Sequence, residues 1–122
     1  MGAGIDPEPC RLVLDTGNRL IPGVIDHHHL SSENCTARLL LEHPEYATGW
    51  LDGCDAPELV IHRSPDLDCI ASVFIVRELL NGVSTNDPVL TSLAEYTFRV
   101  DTGRFPDPDI SNPGLYELLT AR

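Results

Sequence analysis

Three short apolar runs in this sequence each stop on an acidic or histidine cluster. Arg11-Leu-Val-Leu ends at Asp15-Thr-Gly-Asn, Pro22-Gly-Val-Ile at Asp26-His27-His28, and Glu58-Leu-Val-Ile at His62. Runs this brief and this uniformly apolar suit strands buried on both faces, and the Gly and Asn that follow break them into loops.

Between and after these runs the apolar spacing turns helical. Ser31, Ser32 and Asn34 are N-cap candidates for a helix from about Glu33, with Cys35, Leu39, Leu40 and Leu41 on its apolar positions and Pro44 closing it. Asp66 to Leu80 is apolar almost all round and stops at Asn81-Gly82, as a central helix would. Asp87-Pro88 opens another helix, carried by Val89, Leu90, Leu93, Ala94, Tyr96 and Phe98 toward Val100 and ending at Asp101-Thr-Gly. Pro44 to Pro57 reads as loop; the proline-rich tail from Phe105 to Pro113 reads as irregular, with a short helix from Gly114 onward. Strands alternating with helices predict an α/β layer structure with a mainly parallel sheet, and 122 residues suit a single domain.

Charge narrows the partners. Eight Arg and no Lys stand against nineteen Asp plus Glu, a formal net charge of −11. A chain without a basic face does not bind duplex nucleic acid by counterion release, and one without Lys has no Schiff-base or P-loop lysine. A small phosphate-containing ligand fits if cations mediate the contact. No apolar run approaches the roughly 18 residues of a membrane helix, and Met1-Gly-Ala-Gly-Ile-Asp lacks the parts of a signal peptide, so the expectation is a cytoplasmic protein without membrane contact. The four cysteines, Cys10, Cys35, Cys54 and Cys69, contain no C-x-x-C pair and read as reduced, buried, small apolar side chains.

The chemistry-bearing groups are Asp15; Asp26 with His27 and His28; His62 with Asp66 and Asp68; and Asp101. All sit where strands or helices end, and in open α/β sheets ligand groups gather beyond the carboxyl ends of the strands. Carboxylates with imidazoles form a donor set for divalent cations, and manganese suits it best, with magnesium or cobalt as the other candidates. A third adjacent histidine, His29, reads as structural or exposed, and His43 as a helix-end histidine near the negative pole of the dipole. Arg63 and Arg104 neighbour the proposed ligands and could fork a substrate phosphate, the competing reading being ion pairs with the many acids. Leu39 to Leu41 and Phe74 to Val76 read as core.

Asp26-His27-His28 after an apolar strand, together with His62-Arg-Ser-Pro65-Asp66-Leu-Asp68-Cys-Ile-Ala-Ser72, resembles the DHH phosphoesterase family, which includes family II pyrophosphatases, exopolyphosphatases, nanoRNases and cyclic-dinucleotide phosphodiesterases. Val100-Asp101-Thr-Gly-Arg-Phe105 and Leu14-Asp15-Thr-Gly are similar to two further motifs of its nanoRNase branch. The resemblance implies a Rossmann-like DHH-type catalytic domain with two metals. One would be held by His62, Asp66 and Asp15, the other by Asp68, His27 and Asp101, with Asp15 bridging. Asp26 would support the site and His28 would face the substrate phosphate. The motif order is permuted, since His62 follows His28 here, but chain order does not fix which loops meet. The family's C-terminal substrate-binding domain has no counterpart after Asp101, so the metal site is expected to be open to solvent, and any hydrolysis slow and weakly selective, unless a dimer mate or a further domain caps the cleft. The expected function is a two-metal phosphohydrolase acting on a short oligonucleotide, cyclic dinucleotide, pyrophosphate or polyphosphate. The alternative is a non-catalytic metal- or nucleotide-binding module, or a fragment of a larger phosphoesterase.

Overall fold

The computed structural model describes residues 5–28, 34–63 and 66–102. Among them, β1 (Arg11–Leu14), β2 (Leu20–Ile21), β3 (Val24–Ile25) and β4 (Glu58–Val60) form one sheet in the order β2-β3-β1-β4. Four helices accompany it: α1 (Thr36–Glu42), α2 (Pro44–Ala47), α3 (Leu67–Leu80) and α4 (Pro88–Asp101).

β1 is apolar without alternation because both of its faces are covered. Leu12, Val13 and Leu14 are all at most 3% exposed. Leu12 and Leu14 join Ile25 in a core with residues of α1, α3 and α4, which also pack on one another. Val13 and Val24 meet the loop after β1 instead. A Cβ on Gly17, whose φ is +95°, would lie 2.7 Å from Val24 Cγ1 and 3.2 Å from Val13 Cγ1, so the loop closes on this face only with glycine there.

β1 pairs in parallel with β3 (Val13↔Val24, Leu14↔Ile25) and with β4 (Arg11↔Glu58 to Val13↔Val60). Parallel pairing sends the carboxyl ends of all three strands the same way. Asp15, Asp26 and His62, each just past a strand, therefore leave the sheet at one edge, and the permuted motif order is no obstacle to their meeting.

The structure corrects the sequence reading in four places. The Pro22-Gly-Val-Ile run is not all strand: Pro22 and Gly23 turn, and β2 folds back antiparallel on β3. A pair of two-residue strands is too short to show a period. The stretch from Pro44 to Pro57 is not all loop, since Pro44, whose missing N–H costs nothing at a first turn, starts α2. The first helix begins at Thr36, not near Glu33, with Cys35 as its N-cap; Asn34 accepts from the Cys35 N–H, and Ser31 and Ser32 lie outside the described residues. Finally, Cys10 and Cys54 form a disulfide. They are 44 residues apart, so no local spacing reveals the pair. The β1–β4 pairing brings them together, with the Glu58 N–H donating to Cys10 O at 2.9 Å. Such a bond is more at home in oxidising compartments than in the reducing cytoplasm. Cys35 and Cys69 are free and buried, as expected.

The other helix boundaries follow their caps. Asp66 caps α3 by accepting from the Cys69 N–H, and Asp87 caps α4 by accepting from Val89 N and Leu90 N ahead of Pro88. No helix among the described residues is long and apolar enough to cross a membrane. The tail from Phe105, with its expected short helix, lies outside the described residues.

Candidate metal centre

Asp15 is the first residue after β1, 2% exposed and in a left-handed conformation at φ 59°. That conformation is costly for a non-glycine side chain. Here the Asp15 N–H stays on the Ile25 carbonyl at 2.8 Å while its carboxylate receives three side chains. Thr36 Oγ1–H donates to Oδ1 at 3.0 Å, His27 Nε2 lies 3.3 Å from the same oxygen, and His62 Nε2 lies 3.0 Å from Oδ2. One carboxylate thus faces two histidines from different loops, one on each oxygen.

Asp26, also 2% exposed, organises the turn that presents the histidines. Its Oδ2 accepts from Asn18 N at 2.8 Å, tying it to the loop after β1. Its Oδ1 accepts from His27 N at 2.8 Å and His28 N at 3.3 Å, and lies 2.5 Å from His28 Nδ1. His27 is thereby turned inward and His28 left exposed at the mouth of a cavity of about 390 Å³, which Asp15, Gly17, Asn18, His62 and Asp66 also line.

His27 Nε2 is buried, stands 3.3, 3.4 and 3.6 Å from oxygens of Asp15, Asp68 and Asp101, and has no formed hydrogen bond. A buried polar atom without a partner is expensive. Burial disfavours the imidazolium, but the carboxylates of Asp15, Asp68 and Asp101 outweigh it and raise the His27 pKa to about 10. Burial alone would raise Asp15, but its contacts with His27, His62, Asp68 and Thr36 hold it at about 2. Asp68 is raised by burial and by the Asp15 charge, and Asp101 by burial and by Asp68. Three carboxylates converge on one imidazole, an excess of negative charge that a divalent cation would neutralise. The orphaned nitrogen and the oxygen-rich surroundings fit a hard or borderline cation.

Asp68, in the first turn of α3, is 1% exposed and reaches across to another helix. Its Oδ2 and Oδ1 accept from Thr36 N and Ala37 N, each at 2.9 Å, supplying the cap that α1 lacks locally. Asp66, on the preceding turn, is exposed; its Oδ1 accepts from the Cys69 N–H at 3.0 Å, and it lines the cavity.

Three groups of donor atoms lie within 4.8 Å of one another: Asp15 with Asp26, His27 and His28; His27 with Asp68 and Asp101; and Asp15 with His62 and Cys69. Asp66 belongs to none of them. Thr36, Asn18 and Cys69 escaped the sequence reading, because nothing local separates them from an ordinary helix start, loop or core cysteine. Burial pushes the Cys69 thiol up to about 11, against a hydrogen bond from the His62 backbone. Arg63 is exposed and does not line the cavity. Arg104 and His29 lie outside the described residues. His43 ends α1, stacks on Tyr46 at 5.0 Å and sits 3.6 Å from Glu45, away from these groups.

Compared with protein-family models, curated proteins and solved structures, the chain matches none.

Proposed function

We propose that this chain is a two-metal phosphohydrolase with a Rossmann-like DHH-type fold, cleaving a small phosphodiester or phosphoanhydride such as a short oligonucleotide, a cyclic dinucleotide, pyrophosphate or polyphosphate. The observation that carries the reading is the position of Asp15, whose two carboxylate oxygens separately face His62 and His27. A bridging carboxylate between two cations needs that arrangement. His62, Asp66 and Asp15 would hold one cation, and His27, Asp68, Asp101 and Asp15 the other, manganese being the best match to oxygen and nitrogen donors, with magnesium or cobalt as substitutes.

When bound, such a pair supplies Lewis-acid charge against phosphoryl oxygens and activates water as the nucleophile. The chain's own residues do the rest. Asp26 holds His28 by Nδ1, which leaves Nε2 directed away from that carboxylate to hold a proton for, or give one to, a substrate oxygen. Its bonds to Asn18, His27 and His28 keep the two histidines on their separate tasks. Arg63 flanks the ligands in sequence but is exposed and does not line the cavity, and Arg104 lies outside the described residues, so neither supports a phosphate contact.

Metal analysis after dialysis against manganese, paired with a hydrolysis panel of pyrophosphate, polyphosphate, short oligonucleotides and cyclic dinucleotides, tests the proposal. The expected result is about two cations per chain, turnover of at least one substrate, and loss of both in Asp15→Asn, whereas His62→Ala loses one cation. Phosphate-ligand binding without turnover would make the chain a binding module, and a cation content near zero in folded protein would end the metal reading.

A further inference from the structure

The His62 side of the centre holds a donor that the proposed phosphohydrolase does not use. Cys69 is 0% exposed in the first turn of α3, and its sulfur, an Asp15 oxygen and a His62 nitrogen lie within 4.8 Å of one another. Its neighbour Asp68 points to α1 and His27. Adjacent helical residues project about 100° apart, so one turn of α3 serves both histidines, Asp68 beside His27 and Cys69 beside His62. Asp66, the helix cap, is exposed with one oxygen taken by the Cys69 N–H.

The second free cysteine is an internal control. Cys35 is equally buried, yet its sulfur faces the Ala94 carbonyl at 3.9 Å and belongs to no donor group. Burial alone therefore does not account for the company Cys69 keeps.

We infer that Cys69 is a metal ligand, completing with Asp15 and His62 an oxygen, nitrogen and sulfur set for one divalent cation of borderline softness, zinc or cobalt in preference to manganese or magnesium. Thiolate selects such ions, while the His27, Asp68 and Asp101 set keeps its preference for harder ones. On binding, the thiol S–H bond breaks, its proton passes to solvent, and the sulfur lone pair forms the metal–sulfur bond with no change in oxidation state. The inference rests on the metal-centre reading only in taking Asp15 and His62 as ligands; it puts Cys69 in the place that reading gave to Asp66, and makes the two halves of the centre chemically unequal.

Cobalt(II) titration of the full chain in the absence of oxygen tests it. Bound cobalt should show a thiolate-to-cobalt charge-transfer band in the near ultraviolet. Cys69→Ser and Cys69→Ala should lose that band and bind zinc on the order of tenfold more weakly, while Cys35→Ser keeps both. Manganese affinity at the His27 side should stay within about twofold in every variant. Cobalt bound without a charge-transfer band in the unaltered chain, which needs no variant to fold, would overturn the role of Cys69 and leave the metal centre standing. A band that survives in Cys69→Ser would likewise overturn it, whereas binding of neither cobalt nor manganese would overturn the metal centre itself.

Discussion

Asp68 does two things with one carboxylate: it caps α1 through Thr36 N and Ala37 N, and it stands 3.4 Å from His27 Nε2. The two roles separate by substitution. Asp68→Ala leaves two buried N–H groups unmet, which costs about 2–4 kcal/mol of stability. Asp68→Asn keeps one accepting oxygen but turns its NH2 toward the other N–H, while shedding a charge crowded by Asp15, so its loss should be smaller, about 1–2 kcal/mol, while cation binding still falls. Urea unfolding without cations, alongside manganese titration, measures both. Equal destabilisation by the two variants would show that α1 does not depend on this cap. Cys35 gives a pH dependence. Burial, then the nearby Asp68, raises its thiol far above the ordinary 9.0. The folded chain therefore keeps a proton that the unfolded chain loses, so stability falls as pH rises above about 9. Cys35→Ala should make that alkaline limb less steep in urea midpoints measured across it, the raised Cys69 thiol supplying the remainder; an unchanged slope would remove Cys35 as a source.

At the scale of elements, the sheet edge assembles the site and the disulfide ties the opposite ends of β1 and β4. Cys10 and Cys54 close a 44-residue separation. Chain-entropy reasoning gives such a closure about 4 kcal/mol, so Cys10→Ala with Cys54→Ala should lower the unfolding free energy by about 2–4 kcal/mol. Metal stoichiometry should not change, because the pair precedes β1 and β4 while Asp15 and His62 follow them. Thiol counting supplies a direct check: two reactive thiols per chain in denaturant without reductant, four with it. Four without it would mean that Cys10 and Cys54 are not bonded.

Over the whole molecule, the formal charge is −11 and three carboxylates surround His27, a concentration of negative charge that a bound divalent cation would relieve. Manganese at about a hundred times its dissociation constant should stabilise the chain by about 2.7 kcal/mol per site. Sodium chloride at matched ionic strength should give much less, since screening reaches exposed charges more than buried ones. Asp15→Asn should erase the manganese-specific part of the shift in melting temperature. Equal shifts from the two salts would reduce the effect to general screening.

The strands β1 and β4, the helices α3 and α4 and the mainly parallel pairing were legible from the residues alone, because uniform apolar runs, an Asn-Gly stop and Asp caps are local signals. The sequence also placed Asp15, Asp26, His27, His62, Asp68 and Asp101 at element ends, where the structure gathers them. Which of them touch is set by packing. The Cys10–Cys54 bond, the capping of α1 by Asp68 and the approach of Cys69 to His62 join residues that no local period relates. The Asp68 cap spans 32 residues and the His62 to Asp15 contact 47. Contacts at such separations exist only once the parallel sheet has turned three strand ends toward one edge, so their chemistry belongs to the packed fold.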